Sequence, residues 1–182
     1  MRLVLMGGAL RKDSLNRRLL HHIARVLESK GHEIRRFEGE ALRFALYDAD
    51  IQPPHEALDL QKAMLESRGM VIVSPEYNAG IPAHLKNAVD WTSTFDPNPW
   101  RGLPVLLASA SPGAFGGSRG MLSWRAALAN MGAIASPDAI NVPLADKNLD
   151  QDGTPLDART KGLIPKILDG FLGLAERLSI HP

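Results

Sequence analysis

The chain of 182 residues contains no cysteine. That excludes disulfides, thiolate catalysis and cysteine-ligated metal or iron–sulfur centres. The six histidines show no metal-binding spacing with one another. His21 and His22 are adjacent and point to different faces of a helix. Asn148-Leu149-Asp150-Gln151-Asp152-Gly153 matches half of a calcium loop, but Arg159 stands where the closing Glu belongs. A solvated turn is the expectation there. No apolar run approaches the length of a membrane helix. An excess of charge is missing too: 21 Lys and Arg against 20 Asp and Glu give a net charge of +1. That leaves no electrostatic footprint for nucleic acid. Arg11, Lys12, Arg17, Arg18 and Arg25 are too few for a DNA patch. Two phosphate fingerprints are absent as well. Position 9 is Ala and position 12 is Lys, so no G-x-G-x-x-G exists, and no Gly-Lys-Ser/Thr completes a Walker A loop.

What the chain has is a hydrophobic fraction of 45%, ample for a packed core, in a length suited to one domain over residues 1–182. Met1-Arg2 leads directly into a strand and a glycine loop, so no signal peptide is expected and a cytoplasmic location is. Apolar patterning predicts strands over 2–6, 32–37, 70–74, 103–108 and 139–142. It predicts helices over 15–30, 56–67, 82–93 and 118–131, and a last helical stretch over 156–178 broken at Pro165. A polar connection with Pro53-Pro54 separates the second strand from the next helix. Alternating strands and helices imply a parallel sheet with right-handed crossovers, hence an α/β doubly wound sandwich of three layers.

Three strand-to-helix loops hold the polar chemistry. Ser74-Pro75-Glu76-Tyr77-Asn78-Ala79-Gly80-Ile81-Pro82 follows the apolar run Met70–Val73. Tyr77 offers an aromatic face there, flanked by hydrogen-bonding groups on Glu76 and Asn78. Loops at the carboxyl ends of parallel strands are where such sheets bind ligands. Gly7 to Asn16 links the first strand to a helix striped with Leu15, Leu19, Leu20, Ile23, Ala24 and Leu27. Arg11, Ser14 and Asn16 supply guanidinium, hydroxyl and amide groups beside a helix N-terminus, which suits a phosphate dianion. Ser109 to Gly117 follows the fourth strand, and its glycines allow close backbone approach to a flat ligand. Phe115 in this loop either packs against such a ligand or fills core, with core the expectation.

The chain resembles the NADPH-dependent FMN reductase family in four stretches. They are Gly8-Ala9-Leu10-Arg11-Lys12-Asp13-Ser14-Leu15-Asn16, Leu46-Tyr47-Asp48-Ala49-Asp50, Pro75-Glu76-Tyr77-Asn78 running on to Leu85-Lys86-Asn87-Ala88-Val89-Asp90-Trp91, and Ser111 to Arg119. The resemblance implies a flavodoxin-like fold and a two-electron oxidoreductase. NADPH or NADH would pass hydride through bound FMN to a quinone, free flavin, azo dye or metal oxyanion such as chromate. It assigns Arg11, Ser14 and Asn16 to the FMN phosphate. Pro75, Glu76, Tyr77 and Asn78 would border one side of the ring, and Ser111 and Gly113 its pyrimidine edge. No acid–base side chain is named. A homodimer or homotetramer is implied, with Asn87, Asp90, Trp91 and Arg119 as candidate contacts; ordinary helix surface is the alternative for them, and core for Trp91. Ala9 replaces the family's first loop serine, and Asp13 stands where glycine is frequent and would oppose a phosphate.

Two rival readings share these residues. A non-catalytic FMN electron carrier has the same fold, but such carriers are acidic and this chain is nearly neutral. A hydrolase would use Ser111, Asp146 and His181 in the Ser…Asp…His order. Position 109 is Ser, however, so the Gly-x-Ser-x-Gly elbow is missing.

Overall fold

Strands and helices alternate as the apolar pattern predicts. The computed structural model describes residues 1–178. In order, it contains β1 (Arg2–Gly7), α1 (Leu15–Ser29), β2 (Glu33–Glu38), α2 (His55–Leu65), β3 (Met70–Val73), α3 (Ala83–Ser93), β4 (Pro104–Ala110), α4 (Ser118–Met131), β5 (Ile134–Val142), α5 (Ala145–Asn148) and α6 (Ala158–Leu178). A short 3₁₀ turn at Gly39–Leu42 follows β2. All strand pairs are parallel, in the order β2-β1-β3-β4-β5. This is the flavodoxin-like doubly wound order, with its switch point between β1 and β3.

Period-two alternation sorts each central strand between two apolar layers. Leu3, Leu5, Val71, Val73, Leu106 and Ala108 face α1 and α6. Val4, Met6, Met70, Ile72, Val105 and Leu107 face α2, α3 and α4. β3 and β4 are buried along their whole length. Burial on both faces is why these strands read as unbroken apolar runs.

The last two elements depart from expectation. β5 begins at Ile134 rather than 139, and a register irregularity opposite Val105 and Leu107 absorbs Ser136-Pro137-Asp138. An edge strand tolerates proline because one row of its N–H groups faces away from the sheet. α6 runs straight through Pro165. Its apolar stripe of Ile164, Ile167, Leu168, Phe171 and Leu172 packs on the sheet and outweighs one lost main-chain donor.

Asn87 does not stand on the helix surface, and Trp91 takes its core alternative; both are turned inward and buried, away from any subunit contact. Asn87 Nδ2 donates to the carbonyls of Phe44 and Ala45, and its Oδ1 accepts from the Tyr47 N–H. Trp91 Nε1 donates to Ala45 O at 2.8 Å, and Tyr47 meets its ring edge-on at 5.1 Å between centroids. The 44–47 segment has no helix or strand of its own, so these side chains replace main-chain pairing. Asp90 stays on the surface in an i,i+4 pair with Lys86.

Two predictions follow from this packing. Asn87→Ala strands the Phe44 carbonyl and the Tyr47 N–H, while Ala45 O keeps Trp91 Nε1, and should lower unfolding free energy by about 1–3 kcal/mol in urea titrations; an unchanged midpoint would contradict the tether. The second concerns acid. Burial holds His84 and His22 below the ordinary 6.5, Arg43 and Arg25 respectively adding to the depression. A main-chain bond at Gly8 partly opposes it for His84, and Asp150 does so for His22. The unfolded chain therefore binds more protons below 6.5, and stability falls as pH drops from there through the depressed folded values. His84→Gln should flatten that acid limb in urea midpoints measured against pH. A slope identical to the unmutated protein would refute it.

Candidate functional site

The C-terminal ends of β1, β3 and β4 open into a cleft of about 240 Å³, lined from three loops. The first loop contributes Ala9, Arg11, Ser14, Leu15 and Asn16; the second Pro75, Glu76 and Tyr77; the third Ala110, Ser111 and Pro112. Seven of the nine residues expected at the site therefore meet around one space. Asn78 and Gly113 stand outside its lining.

The first loop is shaped by contact. Gly8 donates its N–H to Val73 O at 2.8 Å. A Cβ at Gly8 would lie 2.5 Å from Leu85 Cδ1 and 2.7 Å from Pro75 Cδ, so only glycine fits. Ser14 occupies the N-cap of α1 with extended backbone, yet its hydroxyl makes no capping bond and the first turn has no acidic residue. The N–H groups of Leu15, Asn16 and Arg17 have no protein acceptor among the described residues. Such orphan donors at the positive end of a helix attract an anion.

The surrounding charges are mostly consumed. Arg18 pairs with Asp13, so the acid in this loop is neutralised locally. Arg17 reaches Glu38 at 3.1 Å and donates to Ala9 O at 3.3 Å. His21 meets Glu38 at 2.8 Å. Arg11 makes no ion pair among the described residues and stands exposed on the cleft. A phosphate dianion fits this donor set: one unpaired guanidinium, one uncommitted hydroxyl and three helix N–H groups.

Asn16 lines the cleft while spending both ends of its amide elsewhere. Nδ2 donates to Ala110 O at 2.8 Å, and Oδ1 accepts from the Ala110 N–H at 2.9 Å. Ala110 thus matters through its main chain, and nothing in an alanine advertises that in advance.

The second loop is a tight turn. Tyr77 and Gly80 exchange main-chain hydrogen bonds, and Asn78 and Ala79 between them take φ of 51° and 60°. Left-handed backbone suits Asn and strains Ala. Asn78 is spent on the turn, which lifts Tyr77 to 54% exposure over the cleft. The Glu76 carboxylate points away, onto α4.

In the third loop Ser111 Oγ accepts from the Gly113 N–H at 3.1 Å, and Gly113 O accepts from Leu144 and Gly116. Phe115 is not core: it is 70% exposed. Gly116 takes the inner place, where a Cβ would lie 2.9 Å from the main chain of Val142 and Pro143, and this swings Phe115 outward. No described histidine lines the cleft, and His181 of the hydrolase reading lies outside the described residues. Asp150 Oδ1 accepts from the N–H groups of Asp152 and Thr154, closing the turn that matched half a calcium loop.

Comparisons with known proteins agree with this geometry. Residues 1–147 match the family model described as NADPH-dependent FMN reductase. The chain is 30% identical to a quinone reductase of Escherichia coli strain K12, over 99% of this chain and 98% of that one. It is 32% identical to an NAD(P)H:quinone oxidoreductase of Solanum tuberosum, over 94% and 91%. The solved structure of FerB, a flavoenzyme NAD(P)H:(acceptor) oxidoreductase from Paracoccus denitrificans, has a TM-score of 0.85 at 26% identity, covering 97% of each chain. A Pseudomonas aeruginosa flavodoxin, at 13% identity and a TM-score of 0.57 over 98% of this chain and 99% of that one, shares the fold alone. The two sequence relatives and FerB are named as reductases or oxidoreductases, neither as electron carriers nor as hydrolases. With the phosphate-ready helix and the flanking aromatic turn, they place the chain in the NADPH-dependent FMN reductase family of oxidoreductases, whose cofactors are FMN and NAD(P)H.

Proposed function

We propose that this protein is an FMN-dependent NAD(P)H:quinone reductase whose cofactor lies in the three-loop cleft. The observation that carries the reading is the uncapped start of α1, opening with Ser14 and unpaired Arg11 into the cleft beneath Tyr77. Bound FMN supplies a two-electron relay, accepting hydride from the nicotinamide and delivering it to the acceptor. Overall, NADPH, a proton and a quinone become NADP⁺ and a hydroquinone.

The chain's own residues position and tune. Arg11, Ser14 and the N–H groups at the start of α1 would hold the phosphate. Asn16 would keep that loop rigid from behind, through Ala110. Pro75 and the raised Tyr77 would border the ring on one side, with Asn78 shaping the turn beneath Tyr77. Ser111 and Gly113 would border the other, presenting a loop in which the N–H groups of Ala114 and Phe115 have no acceptor among the described residues. Main-chain donors at the pyrimidine edge would stabilise the negative charge that reduction builds there. No side chain in the cleft is placed as an acid or base. The cleft is open and small, so nicotinamide and acceptor would occupy it in turn. Free flavins, azo dyes and chromate belong to the same proposal as alternative oxidants of an open ring. The relatives' names favour quinones. A homo-oligomer remains part of the proposal, with surface residues Asp90 and Arg119 as the candidates left for its contacts.

Alternate occupancy predicts parallel double-reciprocal lines when NADPH and benzoquinone are varied together. Intersecting lines would refute it. The phosphate assignment predicts that FMN binds far more tightly than riboflavin, which lacks that group. Arg11→Ala should weaken FMN by at least about tenfold, the size of one charge-assisted contact, and leave riboflavin unchanged. Equal losses for both ligands would remove the phosphate from Arg11.

A further inference from the structure

Helix α4 grips both far walls of the cleft. Its first turn takes both oxygens of the Glu76 carboxylate. Oε1 accepts from Arg119 Nε at 2.8 Å and lies 2.7 Å from a terminal nitrogen of the same guanidinium. Oε2 accepts from the Gly120 N–H at 3.1 Å. One turn further, Ser123 Oγ donates to Ala79 O at 3.3 Å. The turn after Pro75 is therefore fastened to α4 at two points.

The start of α4 is itself wedged. Gly117 precedes it with φ of 81°, and a Cβ there would collide with Ser109 Oγ. Ser109 is fully buried at the end of β4, and its hydroxyl has no partner among the described residues. Gly116 is pressed against the Val142 and Pro143 main chain. This end of α4 is thus continuous with the loop after Ala110, and Glu76 joins the opposite wall to it. The Glu76 side chain is only 10% exposed while that of Arg119 is 67% exposed. An acid at a helix N-terminus with three donors is well held. A pair so open on its basic side adds little to global stability.

We infer that Glu76 is a positioning residue: its clasp on Arg119 and Gly120 fixes the spacing between the two walls that border the flavin ring. This rests on the assignment of the cleft to FMN. Without the clasp the Tyr77 turn loses its register against Ser111 and Pro112, and the nicotinamide meets a ring held less well in place. Small misplacements cost rate rather than stability.

The test compares Glu76→Ala, Arg119→Ala, their double variant and Arg119→Lys. Four quantities are measured for each: FMN affinity, melting temperature, KM for NADPH, and the anaerobic rate constant for bleaching by NADPH per bound flavin at saturating FMN. Each alanine variant should lower that rate constant by at least about tenfold, with little change in melting temperature. The double variant should fall no further than the worse single, because both remove one clasp. Arg119→Lys should recover part of the loss, since an ammonium can reach Oε1 but lacks the planar fork. Losses that multiply in the double variant would overturn the inference, as would single variants bleached at the unmutated rate. If Glu76→Ala does not fold, the Arg119 variants, altered at an exposed side chain, decide alone. An unmutated protein that NADPH does not bleach overturns the FMN reading and the inference with it. A bleached one with unaffected variants overturns the inference only.

Discussion

Two hydrogen bonds between the Asn16 amide and the main chain of Ala110 join segments 94 residues apart, and the cleft's geometry depends on them. A parallel sheet brings the ends of β1, β3 and β4 to one edge, but loops leaving that edge are free to splay. The Asn16 side chain takes the donor and acceptor that Ala110 would otherwise leave unpaired in a buried position. In doing so it presses the start of α1 against the third loop. Both groups are out of water, so leaving them unmade would be expensive. The helix N-terminus is thereby aimed across the strand ends rather than into solvent. An amide on the first turn that turns inward also leaves the outward N–H groups of that turn without a side-chain competitor.

Around this link the charges are arranged by elimination. Asp13 is met by Arg18, and Glu38 by Arg17 and His21. Arg11 is left on the cleft without an ion pair among the described residues. Ala9 lines the same space with a methyl group, which offers an anion no hydrogen bond. In the proposed reading, holding an anion would therefore fall to Arg11, Ser14 and the helix donors. Neutralising Asp13 locally removes the objection that its charge opposes a phosphate. The other two loops meet the same requirement by different means, the second by a left-handed turn that raises Tyr77, the third by glycines that let the backbone occupy core space.

Much of this was legible in the residues. Strand and helix order followed from apolar runs and stripes, because burial on two faces leaves an unmistakable pattern in β3, β4 and α1. The three loops announced themselves by position at strand ends, and seven of the nine expected residues meet in one cleft. What sequence could not reveal was direction. Glu76 was read as a group beside the ring, yet its carboxylate faces α4, since the pull of a helix N-terminus and Arg119 is a tertiary fact. Phe115, whose sequence context favours core over ring packing, lies outside the core, because Gly116 takes the inner position. Asn87, a candidate subunit contact, and Trp91, a candidate for contact or core, both turn inward and hold the 44–47 segment, which lacks secondary structure and needs side-chain partners. β5 starts five residues before the apolar run at 139, because Pro137 argues locally against a strand while edge pairing is set by the neighbouring strand.

The most direct measurement is an anaerobic titration of FMN-loaded protein with NADPH, followed in the flavin's visible bands. Complete bleaching with a protein-bound spectrum, at one NADPH per flavin and reversed by added benzoquinone, is the result this account predicts. A protein that binds no FMN, or whose bound flavin is untouched by both NADPH and NADH, would contradict it.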